Sequence, residues 1–272
     1  MRTLYVSDLD GTLLRSDATI SDFTNQTVNQ LVDEGMLFSY ATARSIHTSR
    51  KVTRGLSAKI PLIVYNGAMV IDNADGSVLF NNFFGSDIVP LLKNLFSNGV
   101  FPFVYSWIDR EEKFSFVDPK CTRGMKRFLD SRKNDKRIRS VDAEEDLMRG
   151  EIFYITCIDE TEKLLPLYEK YKNAYHCVFH TDIYTNEQWL EIMPKDTSKA
   201  SAVKHLKELM NCDRLVVFGD GKNDIDMFEI ADEAYAVENA VDELKAIATG
   251  VIGGNDEDGV AKWLKGNYHS DM

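Results

Sequence analysis

The sequence predicts an α/β protein: a Rossmann-like, doubly wound parallel sheet core interrupted by an inserted α+β cap domain. Three observations carry that prediction. Short apolar runs of strand length alternate with helix-length amphipathic segments towards both ends of the chain, the pattern of successive βαβ units. Between residues 83 and 190 the alternation gives way to strands that follow one another more closely, with helices among them. Beyond that stretch the first pattern resumes, so the core is expected from residues 1–82 and 191–272 and the insert from residues 83–190.

Each element has its own signal. Leu4-Tyr5-Val6-Ser7 is a buried-type strand that opens into Asp8-Leu9-Asp10-Gly11. A helix follows, with Ser21 or Asp22 as N-cap, Phe23, Val28, Leu31 and Val32 on its apolar side and Gly35 as its stop. Residues 36–41 form the next strand, ending at Thr42, and a helix-length segment leads to a third strand, residues 62–65, ending at Asn66-Gly67. Residues 70–80 read as a hairpin turned at Asp75-Gly76. In the insert, helices are expected at 87–96, 125–132 and 162–172 and strands at 101–108, 114–117, 152–158 and 177–183. The returning core has helices at 199–210, 224–230, 241–248 and 260–265 and strands at 215–219 and 234–237.

Composition bounds the function. A chain of 272 residues, 44% hydrophobic, is long enough for two compact domains. Its formal charge of -11 argues against broad attraction to nucleic acid or to an anionic membrane. No apolar run approaches a membrane span, and Met1-Arg2-Thr3-Leu4 enters a strand without a signal-peptide layout, so a cytoplasmic protein is expected. Cys121, Cys157, Cys177 and Cys212 lie far apart without Cys-x-x-Cys spacing and are read as reduced, packed thiols. No obligate protein partner is evident.

The chemistry lies at strand ends. In an open parallel sheet, ligands bind beyond the carboxyl ends of the strands, and Asp8, Asp10, Thr42, Lys199, Asp220 and Asp224 all fall at or near that edge. Asp8 and Asp10, at i and i+2, can face one reaction centre. So many carboxylates repel one another unless a cation intervenes, and a hard divalent ion such as Mg2+ takes oxygen ligands while leaving room for a phosphate. Phosphoryl transfer suits such a set. Asp8 would attack phosphorus, and Asp10 would protonate the leaving alcohol and then deprotonate the attacking water. Thr42 offers a hydroxyl donor, Lys199 a positive charge, and Asn223 an amide to hold the phosphate or orient Lys199.

These residues carry a family resemblance. Asp8-Leu9-Asp10-Gly11-Thr12-Leu13 resembles the first motif of haloacid dehalogenase-type phosphatases, Thr42 the second, Lys199 the third, and Gly219-Asp220-Gly221-Lys222-Asn223-Asp224 the fourth, in the same order. The long insert resembles the type 2B cap of the Cof-like subfamily, as do Asn66-Gly67-Ala68 and Glu257-Asp258-Gly259-Val260-Ala261. The resemblance covers essentially the whole chain. It implies magnesium held by the Asp8 carboxylate, the Asp10 carbonyl and Asp220, with Asp224 in or beside the inner sphere. It places Thr42, Ala43, Lys199 and Asn223 around the phosphate, and Arg44 and Asn66 facing the substrate. Ala43 departs from the family's usual glycine, which restricts positive φ at that point. The implied activity is hydrolysis of small phosphomonoesters, sugar phosphates first among them, through an aspartyl phosphate; a phosphomutase using the same aspartyl phosphate is the alternative.

Other features read as structural. The stripe Phe101, Phe103, Tyr105 and Trp107 is expected to pack under helices. The nine Lys and Arg between Lys120 and Arg139 read as a solvated helix face, and Glu191 as a surface strand residue. His47, His176, His180, His205 and His269 have no ligand spacing, and residues 255–258 read as a plain acidic loop rather than a calcium site.

Overall fold

The computed structural model describes residues 1–57, 59, 61–109, 111–181 and 187–268. In chain order it begins with β1 (Thr3–Ser7), α1 (Asp22–Asp33), β2 (Leu37–Tyr40), α2 (Ile46–Val52), β3 (Leu62–Val64), β4 (Met69–Ile71) and β5 (Val78–Asn81). The inserted stretch holds α3 (Ile88–Ser97), β6 (Phe103–Ile108), β7 (Glu111–Val117), α4 (Arg123–Asp130), β8 (Ile138–Val141), β9 (Glu151–Asp159), α5 (Thr161–Tyr171), β10 (His176–Thr181) and β11 (Gln188–Met193). The chain then continues with α6 (Lys199–Leu209), β12 (Arg214–Gly219), α7 (Ile225–Glu229), β13 (Glu233–Val237), α8 (Asp242–Ile247), β14 (Gly250–Ile252) and α9 (Gly259–Asn267).

These elements form two compact units, one of Met1–Asn81 with Ser198–Met272 and the other of Asn82–Thr197. The first is built on a parallel sheet in the order β14-β13-β12-β1-β2, to which the antiparallel set β3-β4-β5 is joined by a parallel bridge between Ala41 and Ile63. β1 is flanked on both sides, and the apolar side chains of its run are buried because each face carries helices. Leu4, Val6, Phe38, Val217 and Phe218 are at most 1% exposed. Register then decides the site. Ser7 pairs with Phe218 on one side and Tyr40 on the other, so the residues just past three neighbouring strands, Asp8, Asp220 and Thr42, arrive at one rim.

The second unit is a six-stranded sheet in the order β10-β11-β9-β6-β7-β8. On one face Val104, Ile155, Cys157, Leu190 and Ile192 pack with Leu91, Leu92 and Leu95 of α3 and Leu164 and Leu167 of α5. On the other, Phe103 lies against Phe114, Phe116 and Phe128, the last from α4, and Tyr105 against Phe114 and Tyr154, so this part of the aromatic stripe is core. Most of the basic stretch is exposed, as expected of a solvated helix face, but part of it is drawn into this unit. Arg137 is buried with Glu112 and Asp135, Arg132 stacks on Phe128, and Arg127 pairs with Glu187. Glu191 also differs from expectation. It is half-buried, it meets the Tyr154 hydroxyl, and burial raises its carboxyl above the ordinary range.

The boundary expected at 190/191 falls inside β11, whose residues pair with β9 and β10 and so stay with the insert. β8 and β14 were not expected; the end of the strand predicted over 177–183, and His269, lie outside the described residues. The four cysteines are free, and burial pushes the Cys121 and Cys177 thiols up to about 11 and about 12, which suits packing and not nucleophilic chemistry. No helix among the described residues is long and apolar enough to cross a membrane.

The acidic loop at 255–258 braces the segment that follows β1. Asp258, held at φ 57°, accepts hydrogen bonds from Arg15 (2.9 Å), Ser21 (2.6 Å) and Thr24 (3.2 Å). Asn255 donates to the Leu14 carbonyl (3.0 Å), and Asn239 to the Gly11 carbonyl (2.7 Å). These carboxylates and amides serve the protein's own donors and acceptors, as a structural loop should. Asp258→Ala should therefore cost about 2 kcal/mol, since hydrogen bonds to a charged acceptor are among the stronger ones. Chemical denaturation of the variant checks this value.

Candidate active site

The reaction rim is assembled from the bottom up by three strand ends and one helix start. Asp8 follows β1, and its N–H donates to the Phe218 carbonyl (2.9 Å), which extends the ladder by one residue and fixes where the side chain leaves the sheet. Lys199 opens α6, whose N-cap Ser198 accepts from the Ser201 N–H. The Lys199 side chain is 1% exposed, and its Nζ donates to Asp8 Oδ1 (2.5 Å) and to Asp224 Oδ1 (2.7 Å). The other Asp224 oxygen accepts from the N–H groups of Asp220 and Gly221, both at 3.0 Å. Asp224 thus clasps its own loop and aims Lys199.

Two glycines make the close approaches possible. Gly11 lies at φ 80°, and a Cβ there would run into the Asp220 carboxylate. Asp220 Oδ1 in turn accepts from the buried Thr12 hydroxyl (2.7 Å). Gly67, at φ 95°, backs onto the Ser198 carbonyl, so the turn Tyr65–Gly67 lies against the start of α6. Tyr65 and Asn66 also have left-handed backbones, at φ 53° and 52°. Such strain at non-glycine residues persists only where surrounding contacts hold it, and here the Asn66 and Tyr65 N–H groups donate to the carbonyls of Thr42 and Arg44.

Electrostatics follows from burial. Carboxylate oxygens of Asp8, Asp220 and Asp224 lie within 4.8 Å of one another. Removal from water raises the Asp8 carboxyl well above its ordinary range; Lys199 opposes this, while Asp224 and Asp220 add to it. Burial raises Asp220 as well, with Asp224 reinforcing and the Thr12 hydrogen bond opposing the shift. Burial alone would lower the Lys199 ammonium, but Asp224 and Asp8 outweigh it and drive it above its usual value. One ammonium facing three carboxylates leaves surplus negative charge. Oxygen donors with that surplus suit a hard divalent cation, so the residues present fit a metal of that kind.

The structure brings most of the expected residues to this rim and gives some a different neighbour. Thr42 is fully buried and its hydroxyl accepts from the Arg44 N–H (3.1 Å). Ala43 is exposed and is not among the positive-φ residues, so its backbone does not need the glycine that its methyl replaces. Asn223 donates to the Asn66 side chain (3.4 Å) and is not hydrogen-bonded to Lys199. Asp10 stands apart from the three-carboxylate cluster: its side chain is 49% exposed and both of its oxygens are held by the Arg44 guanidinium. Thr12 and Asn239 were not singled out from the sequence. Thr12 lies inside the first motif, which was a signal; nothing local marks Asn239.

A parallel α/β core with carboxylates and a lysine gathered beyond its strand ends is a setting suited to work on phosphorylated substrates. A family model of haloacid dehalogenase-like hydrolases matches residues 5–264, and the chain belongs to that family. It is 27% identical over 271 residues to the 5-amino-6-(5-phospho-D-ribitylamino)uracil phosphatase YitU of Bacillus subtilis, covering 96% of both chains. Among solved structures it is similar to TM0651 of Thermotoga maritima, with a TM-score of 0.81, 26% identity and coverage of 100% and 99% of the two chains. It shares the fold of the HAD subclass IIB sugar phosphatase BT4131, with a TM-score of 0.74, 20% identity and 98% of each chain covered. The protein is a phosphatase of this family.

The raised carboxyls give a signed prediction. Asp8 and Asp220 bind protons more tightly folded than unfolded, so without divalent ions stability should fall as pH rises from the unfolded carboxylate range through the folded values. Chelator-treated protein should melt lower at about pH 7.5 than at about pH 5, Asp8→Asn should flatten that fall, and magnesium should raise the melting temperature mainly at the higher pH. Thermal melts across the interval, with and without magnesium, test it; a profile flat in chelator would contradict the raised carboxyls.

Proposed function

We propose that the protein is a magnesium-dependent phosphatase of small phosphomonoesters, sugar phosphates or related metabolites, that works through an aspartyl phosphate on Asp8. The observation that supports this most is the buried Asp8 carboxylate at the end of β1, 2.5 Å from the Lys199 ammonium and grouped with Asp220 and Asp224. The pair pre-aims a carboxylate oxygen while holding positive charge where a phosphoryl group would sit. Magnesium would be held by the Asp8 and Asp220 carboxylates and the Asp10 carbonyl, with Asp224 beside them; once bound it would neutralise charge on the phosphoryl oxygens.

In the first half-reaction an Asp8 oxygen bonds to phosphorus as the bond to the substrate oxygen breaks. The leaving alkoxide takes the proton of the Asp10 carboxyl. In the second half, the Asp10 carboxylate accepts a proton from water as the water oxygen bonds to phosphorus. The bond to Asp8 breaks, inorganic phosphate forms and the Asp8 carboxylate is restored. Lys199, Thr42, Ala43 and Asn223 would surround the phosphoryl group, and Arg44 and Asn66 would lie on the substrate side. The insert is assigned the work of a type 2B cap, which selects the leaving group.

A sugar-like leaving group agrees with the phosphoribityl chain in the name of the Bacillus subtilis relative. An acidic chain with unpaired cysteines suits soluble metabolites of the cytoplasm.

A panel of phosphorylated metabolites assayed with magnesium tests this reading. Free phosphate should accumulate without isomer formation, and Asp8→Asn should lower turnover by about a thousandfold or more on every substrate turned over. Acid-quenched enzyme should carry a phosphoryl adduct on the peptide that contains Asp8. Undiminished turnover by Asp8→Asn would remove the nucleophile.

A further inference from the structure

We propose that Arg44 is a positioning residue for departure of the leaving group: its guanidinium fork sets the rotamer of the Asp10 carboxyl, and it acts through that carboxyl rather than on the phosphate. The inference rests on Asp10 being the group that protonates the leaving oxygen. Its basis is a two-point contact. Arg44 Nε donates to Asp10 Oδ2 at 2.7 Å and Nη2 to Oδ1 at 2.5 Å, so the carboxyl plane is fixed as well as its distance.

Both partners are held from behind. The Arg44 N–H donates to the Thr42 hydroxyl (3.1 Å) and the Arg44 carbonyl accepts from the strained Tyr65 (3.0 Å). On the other side, the Gly11 carbonyl next to Asp10 is tied to Asn239, and Thr12 to Asp220. The backbone at Asp10 is therefore set, and what remains free is rotation of a half-exposed side chain. Among the described residues, Arg44 supplies the hydrogen bonds that the Asp10 carboxylate accepts.

The fork leaves room for chemistry. Each carboxyl oxygen has two lone-pair directions, and the fork uses one on each, so an oxygen can stay on Arg44 while its other side meets the leaving oxygen. A lysine at this position would bring charge without the fork and could hold the carboxylate at one point only. Folding has little at stake, because the pair is 26% and 49% exposed and surface pairs of this kind add little stability.

The test compares Arg44→Ala, Arg44→Lys and Asp10→Asn on two esters: a hexose 6-phosphate, whose alkoxide must be protonated to leave, and p-nitrophenyl phosphate, whose phenolate leaves unaided. The readout is kcat/KM, which covers the steps through departure. For the hexose phosphate we expect a loss of about tenfold or more in both Arg44 variants and about a hundredfold in Asp10→Asn, against about threefold or less for the aryl ester. Far-UV circular dichroism and thermal melts show that each variant folds. Equal losses on the two esters in the Arg44 variants, with raised KM, would overturn the proposal and make Arg44 a phosphate holder; rescue by lysine would overturn the need for a fork. If Asp10→Asn itself did not distinguish the esters, the acid role of Asp10 would fall, and this proposal with it.

Discussion

The ammonium of Lys199, out of water between Asp8 and Asp224, is the interaction on which the rest of the site depends. It lies across two parts of the chain that are 191 and 25 residues distant from it in sequence, and its reach requires α6 to begin close behind β1 and β12. A buried charge of this kind adds little net stability, because desolvation offsets most of the attraction. Its worth is geometric. With one carboxylate on each side, the ammonium can occupy one position, and the Asp8 oxygen nearest to it is held still. Even so, a single positive charge does not balance three carboxylates, so the rim is built short of positive charge by design of the fold. That shortage suits a divalent cation, which would also have to offset the negative charge that a phosphorylated substrate brings.

Around this pair the structure is a series of props. The strained turn Tyr65–Gly67 fills the space between the Thr42–Arg44 segment and the start of α6. The loop at 255–258 and Asn239 hold the segment after β1 from the other side. None of these residues carries charge to the reaction. They decide where the ones that do can stand, and they explain why residues far apart in sequence are needed to shape one rim.

Much of this was legible beforehand for a physical reason. The strand–helix alternation that predicts the parallel core is a periodic signal repeated along the chain, and Asp8, Thr42, Asp220 and Asp224 sit at strand ends or the turns after them, where local pattern locates them. Lys199 was marked by its resemblance to the family's third motif, since a lysine at a helix start is on its own usually a solvated charge. What stayed hidden depended on side-chain rotamers and on pairing across long separations: the fork from Arg44 to Asp10, the tie from Asn239 to Gly11, the clasp of Asp224 on its own loop. β14 is three residues long and β8, Ile-Arg-Ser-Val, has a basic and a polar residue at its centre, so neither stands out as an apolar run. Glu191 looked like a surface residue because a lone carboxylate on a strand usually is one. The boundary was misplaced at 190/191 because the apolar pattern of β11 suits either sheet.

The two points where the chain leaves and re-enters the first unit lie side by side, since Asn82 donates to the Thr197 hydroxyl at 2.9 Å. To the first unit, everything from 82 to 197 is therefore an excursion whose two ends are pinned together. An excursion of that form reaches the parallel sheet as a single short link, so its length does not alter the order in which the sheet's strands are joined.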